Sequence, residues 1–290
     1  MQSSNQFPRM LSALASAATL LSGSAAWSNP LLEIQPGKAR PGDVILIKVR
    51  GVSSPPRGKA GTHELVFVPS DSGFWALAPL EVEQPAGELE VSINSASGDA
   101  PDPQISGAVT VIEPNFNRRE LSVANRYVNP SAKERRRLAE DQAAFDRAYD
   151  QPPLPPMFSQ NFRWPRQSGL TAHYGDLRLF NGAKESQHFG VDLEGRTGAP
   201  VFAANDGKVV LARRCFASGN SVVIHHGAGL FTAYYHLSRM RVEVGQKVHQ
   251  GQQIGAVGRT GRVTGPHLHW AVKVDSLYVD PESLLRLNFN

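Results

Sequence analysis

The residues able to do chemistry in this 290-residue sequence are concentrated in its C-terminal half, which holds eight of the nine histidines. His267 and His269 stand two apart in Gly265-Pro-His-Leu-His-Trp270. On a strand that spacing turns both imidazoles to one face, with Cα atoms about 6–7 Å apart and Leu268 in the opposite layer. One ring could then hold a metal while its neighbour stands beside the water on that metal. The second piece is His188-Phe-Gly-Val-Asp192. In an extended strand His188 and Asp192 would lie about 13 Å apart, too far for one ion. A helix would bring them together at i and i+4, but Gly190-Val191 is poor helix sequence, so a bend at Gly190 is required. Two imidazoles and one carboxylate leave a fourth position open, the donor set of a catalytic rather than a structural zinc. Calcium or magnesium would need more oxygen ligands. The third piece, Tyr234-Tyr-His-Leu237, ends a predicted strand. His236 there reads equally as a working residue or as the cap of a core tyrosine pair.

Other candidates carry weaker signals. His225 and His226 fall on opposite faces of a strand end, so at most one reaches a shared cleft; both read as structural. His173 lies in Ala172-His-Tyr-Gly175, His249 in an exposed turn and His63 alone at a surface or turn. Arg178, Asn181 and Tyr234 are candidates for substrate contact. The single cysteine, Cys215, excludes an intramolecular disulfide and any site of paired thiolates, and reads as packed and inert. The sequence has no H-E-x-x-H, G-x-S-x-G, phosphate-binding loop or dinucleotide fingerprint.

These residues need a β scaffold. From about Phe158 onward, short β-branched runs at Val201–Ala204, Lys208–Ala212, Ser221–His225 and Leu230–His236 alternate with Gly-containing turns. Gly245-Gln-Lys-Val248 and Gly251-Gln-Gln-Ile254 form a small repeat, expected to pair as an antiparallel hairpin. Only Asp280–Leu285 looks helical. Residues 27–115 also read as all-β, through Val44–Val49, Glu64–Val68 and the alternation of Leu89, Val91 and Ile93 with polar neighbours, and suggest an immunoglobulin-like sandwich. Between the two, residues 116–157 read as a helical linker and a Pro-rich connector. Ser131 and Glu134 make a capping box; Leu138, Phe145 and Tyr149 share a helix face; Gln151–Pro156 stops the helix and stiffens the chain. Lys133 and Arg135–Arg137, interleaved with acids, read as a solvated helix face rather than a nucleic-acid patch. Residues 1–26, with Arg9, an apolar run from Met10 to Leu21 and small residues up to Ala26, have the form of a cleavable secretory signal too short to span a bilayer. The net charge of +4 is mild and specifies no partner, though it suits an anionic envelope polymer.

The blocks His188–Asp192, Gly198–Val201, Gly219–Ile224, Tyr235–Ser238, Gly251–Gly255 and Thr264–His269, in that order, resemble the lysostaphin-type (LytM-like) zinc metallopeptidases. The likeness covers about residues 174–281. It implies a mainly β fold with a C-terminal antiparallel metallopeptidase sheet, zinc (Zn2+) as cofactor, His188, Asp192 and His269 as metal ligands, and His236 and His267 as catalytic histidines of unassigned base. The implied activity is hydrolysis of peptide cross-links in bacterial peptidoglycan by zinc-activated water. The implied location is exported, periplasmic or secreted. The implied partners are peptidoglycan stem peptides, with no nucleic acid and no membrane span after signal cleavage; an envelope protein could dock on the N-terminal domain. A second reading is a catalytically silent regulator of cell-wall amidases. Such members lack one or more of the five positions, and all five are present here.

Overall fold

The structure, a computed structural model, describes residues 30–94, 104–152 and 154–289. Residues 1–26, read above as a secretory signal, lie outside them. The protein is mostly β. Its N-terminal part packs a four-stranded sheet (Leu31–Gln35, Val44–Arg50, Gly73–Pro79, Val68–Ser70) on a five-stranded one (Lys38–Ala39, Gln104–Val111, Gly87–Asn94, Arg57–Ala60, His63–Glu64). The unbroken apolar run Val44-Ile-Leu-Ile47 has a reason. Ile45 and Ile47 face the sandwich core, while Val44 and Leu46 enter the core of the C-terminal domain. Both faces of this strand are buried, so it does not alternate with polar residues. Glu64–Val68 is not one strand. The chain leaves one sheet at Glu64 and joins the other at Val68, with Leu65 buried and Val66 exposed at the crossing. His63 is not alone either: its Nε2 stands 3.3 Å from the Asp275 carboxylate of the C-terminal domain.

The C-terminal domain is built on one large antiparallel sheet. Its strands run Leu170–Ala172, Val191–Glu194, His267–Val274, Leu230–Leu237, Asn220–His225, Gly207–Arg214, Lys247–Val248. Alternation assigns its two faces. Leu268, Trp270, Val272 and Val274 point into one core with Val191 and Leu193. His267, His269, Asp192 and Ala271 lie on the other face. Helix α1 (Ala132–Tyr149) covers part of that second face through Phe145, Ala148 and Tyr149, leaving the remainder as a cleft; Leu138 stays outside this cluster. The capping box at Ser131 and Glu134 forms as expected. Asp141 fixes α1 to the sheet, its buried carboxylate accepting from Arg213 Nε at 3.0 Å and Phe216 N at 2.6 Å.

Two connections depart from the sequence reading. The segment before α1 is partly strand: Arg118–Leu121 pairs in parallel with Leu177–Phe180. Asn181 then pins it, donating from its side chain to Val123 O and accepting from Val123 N, both at 2.9 Å. The expected hairpin of the Gly-Gln repeat does not form. Lys247–Val248 pairs with Gly207–Lys208 at the edge of the large sheet, whereas Gln253–Ala256 pairs with Pro200–Phe202 and Arg239–Met240 in a separate three-stranded sheet. Val248 and Ile254 reach the same core from different sheets, which satisfies both apolar positions without pairing them to each other.

His225 and His226 are structural. The His225 ring stacks on Phe231, and His226 is fully buried between Asp206 O (2.6 Å from Nδ1) and Thr232 Oγ1 (2.7 Å from Nε2). Burial pulls the pKa of His226 down to about 4. The native state therefore keeps it neutral while the unfolded chain takes up a proton below about pH 6.5, so its contribution is lost as pH falls from 6.5 toward 4. Asp280, pushed up to about 7 by burial, acts in the opposite sense, so the informative quantity is a difference. The stability gap between the native chain and His226→Gln, from urea unfolding, is expected to shrink by about 2–3 kcal/mol between pH 7.5 and 4.5. A gap independent of pH would contradict this assignment.

Candidate metal centre

His188 and Asp192 meet across the expected bend, and the strand pairing supplies the third group. Val191–Glu194 runs antiparallel to His267–Val274 with Asp192 directly opposite His269. His188 Nε2, Asp192 Oδ1 and His269 Nδ1 form a triangle with edges of 3.1, 2.9 and 2.9 Å. Ligands of a tetrahedral zinc at about 2.0–2.1 Å stand about 3.3 Å from one another, so a small expansion of this triangle would bring it to a loaded site. All three residues are buried. The donor set, two imidazoles and a carboxylate, is that of zinc with an open fourth position.

The surroundings prepare each donor. His188 Nδ1 donates to the His173 carbonyl at 2.7 Å, which fixes the tautomer and leaves Nε2 with its lone pair toward the triangle. The role of His173 is therefore carried by its backbone; its ring turns away to Glu282, 3.1 Å from the carboxylate. Burial lowers the pKa of His269 to about 4, so that ring is neutral and able to ligate. Burial works against ionisation of Asp192, but hydrogen bonds with His188 and His269 overcome it and hold the carboxyl well below the usual range. Arg178 Nη2 donates to the other oxygen, Asp192 Oδ2, at 2.6 Å. Arg178 thus orients a candidate ligand, a role its sequence position did not disclose.

His236 reaches the same cleft by a distortion. Between Asn220↔Leu237 and Val222↔Tyr234 the register shifts, placing an extra residue in the Leu230–Leu237 strand, and His236 takes a φ of 62°. Such a bulge re-aims a side chain that regular alternation would send to the core. Tyr235 and His236 consequently both line the cleft, whereas Tyr234 is fully buried, its hydroxyl accepting from Ala204 N. The substrate-contact reading of Tyr234 is corrected to Tyr235, whose ring stacks 5.3 Å from His269. His236 Nδ1 donates to Thr260 O at 2.8 Å and His267 Nδ1 to Gly265 O at 3.0 Å, so both rings turn Nε2 toward the cleft. Their ring centroids are 5.0 Å apart, and His267 Nε2 lies 3.7 Å from Asp192 Oδ1. Burial, then the neighbouring His267 and His269, drive the His236 pKa well below its ordinary value. The cleft measures about 400 Å³ and is also walled by Arg119, Leu121 and Val123 of the segment pinned by Asn181. Asn181 therefore builds the wall rather than facing the cleft. His249 is exposed beside Asp206, away from this site.

Residues 186–281 match the family model Peptidase family M23. ShyA of Vibrio cholerae, a peptidoglycan DD-endopeptidase, is 51% identical over 106 residues, which are 36% of this chain and 25% of ShyA. Mpg of Neisseria meningitidis, a DD-carboxypeptidase/endopeptidase, is 41% identical over 97 residues, 33% of this chain and 22% of Mpg. The chain thus spans about a quarter of the length of these curated relatives. A candidate peptidase M23 from Pseudomonas aeruginosa aligns with a TM-score of 0.62 at 25% identity, over 84% of this chain and 94% of that one. A β-sheet metallopeptidase domain is what fold and site define, and residues 186–281 carry a domain of peptidase family M23.

Gly190 is the tightest point of the centre. A Cβ there would stand 2.6 Å from Trp270 O and 2.7 Å from His269 Nε2. Gly190→Ala is expected to displace His269 and weaken zinc affinity at least about 10-fold, measured against a competing chelator, the range seen when a ligand's support is disturbed. Unchanged affinity would contradict the claimed geometry.

Proposed function

We propose that the protein is an exported zinc metalloendopeptidase that hydrolyses peptide cross-links of bacterial peptidoglycan. The observation that carries this reading is the convergence of the His188–Asp192–His269 triangle with two further imidazoles in one cleft. His188, Asp192 and His269 are taken as the metal ligands, His236 and His267 as the catalytic histidines. The names of the relatives, ShyA and Mpg, support peptidoglycan as substrate. The domain division follows the sequence reading: secretory signal to residue 26, β-sandwich to 115, connector to 157, peptidase domain beyond. The N-terminal domain is where an envelope protein could dock. A silent regulator is disfavoured because all five positions meet in space.

When bound, zinc supplies a Lewis acid that acidifies water and polarises the scissile carbonyl. The residues of the chain do the rest. Both cleft histidines, tied through Nδ1–H, present Nε2 as a proton acceptor when neutral. One takes the proton of the attacking water at Nε2. As water oxygen bonds to the carbonyl carbon and the C–N bond breaks, that proton passes to the leaving amine. Depression of the His236 pKa keeps this ring neutral at physiological pH, and the charge on Asp192 and its partner Arg178 stays fixed throughout.

Purified protein lacking residues 1–26 should release cross-linked fragments from sacculi, detectable by mass, and a chelator should stop it until zinc is restored. Digestion of defined muropeptides would identify the bond. His236→Ala and His267→Ala are each expected to lower kcat about 10²–10⁴-fold. Full turnover by Asp192→Ala would sink the ligand assignment.

A further inference from the structure

A second cavity, about 510 Å³, lies behind the loops that form one wall of the cleft. Ala217, Ser218 and Arg262–Thr264 face the cleft, while their chain neighbours Phe216, Gly219, Thr260 and Gly261 face this second space. One loop thickness separates the two, and it includes Thr260, whose carbonyl holds His236.

The lining of the second cavity is cationic. Arg126, Lys133, Arg137, Arg214 and Arg259 converge on it from three parts of the chain, against one carboxylate, Glu134. That carboxylate is already engaged, accepting from Ser131 N at 2.8 Å and Ser131 Oγ at 2.7 Å in the cap of α1. Arg137 donates to the Arg214 carbonyl at 3.4 Å and Arg126 lies over the Tyr127 ring. Among the described residues none of the five forms an ion pair. Arg126 also donates to the Tyr127 hydroxyl at 3.1 Å and helps lower the Glu134 pKa, behind the larger effect of the Ser131 hydrogen bonds. Packing the remaining like charges around a concavity costs free energy, and Lys133 and Arg259 have no such local partner among the contacts of the described residues. Lys133 and Arg137 are exposed, as the sequence reading has them, and α1 places them at the rim of this concavity.

We propose that this cavity is a carboxylate-binding subsite that holds the polymeric substrate outside the cleft, through a free carboxylate on a neighbouring peptide stem. The proposal rests on the peptidoglycan reading above. Five donors of guanidinium or ammonium type, exposed to solvent, suit an oxyanion carried by a flexible polymer.

The test uses the mature chain treated with chelator, so that retention is not confounded by cleavage, and purified sacculi stripped of attached polymers. Arg214→Gln/Arg259→Gln is expected to bind sacculi about 10-fold more weakly than the native chain at low salt. The difference should shrink as salt rises, since exposed charges are screened. Sacculi whose carboxylates have been amidated should retain both proteins equally poorly. With zinc restored, kcat/KM on a soluble cross-linked dimer should stay within twofold of native. Lys133→Gln, at an exposed helix start, gives an independent variant that leaves packing intact; it should weaken retention in the same direction. Undiminished retention of the variants, undiminished retention by amidated sacculi, or retention only by sacculi still carrying phosphate polymers would overturn the proposal. Failure of every protein to cleave the dimer would strike the hydrolase reading instead, leaving the retention result to be read separately.

Discussion

A buried carboxylate has to be kept ionised within 3.1 Å of two imidazoles, and most of the C-terminal domain is arranged around that requirement. A lone buried carboxylate would be strongly disfavoured. Arg178 compensates part of the charge from one side, and a divalent ion on the other would supply the remainder. To reach this geometry the chain bends between His188 and Asp192, and the bend passes so close to the Trp270 carbonyl that no side chain fits at Gly190. The side chains of His188, Asp192 and His269 then converge on one point because two neighbouring strands pair with Asp192 opposite His269.

The same sheet face carries two occupants. Aromatic residues of α1 cover one part, and the cleft takes the other, with Tyr235 at the boundary between Phe145 and His269. The connector is consequently structural. Its strand at Arg118–Leu121 forms part of the cleft wall, and residues Leu154 to Met157 are hydrogen-bonded to the turn at His226–Ala228. The N-terminal sandwich is likewise fused to the peptidase domain. Val44 and Leu46 share its core, and Asp280 and Ser283 hydrogen-bond to the backbone at Gly42 and Val44. Rigid mounting of this kind suits a site whose donor spacing is set to tenths of an ångström.

Much of the candidate site was legible in the sequence because its rules are local. Strand alternation placed His267 and His269 on one face, and the distance argument required a bend at Gly190. The features that escaped were those decided by tertiary pairing. Alternation alone cannot reveal the bulge that turns His236 into the cleft and exchanges Tyr234 for Tyr235. Arg178 reads as a candidate for substrate contact until Asp192 is folded against it. The Gly-Gln repeat suggested a hairpin because repeated turn-plus-strand units commonly pair, yet here each finds a different sheet. The connector reads as a stiff linker because its Pro-rich composition reports stiffness and says nothing of what it packs on. The unbroken run at Val44–Ile47 did carry a signal of burial on both faces, one that alternation-based reading of a sandwich overlooks.

The most direct measurement is a crystal structure of the zinc-loaded chain with anomalous data collected on both sides of the zinc absorption edge. The expected result is one ion bound to His188 Nε2, Asp192 Oδ1 and His269 Nδ1 at about 2.0–2.2 Å, with His236 and His267 outside the coordination sphere. An ion ligated by His236 or His267, or no ion at this triangle under saturating zinc, would contradict the assignment.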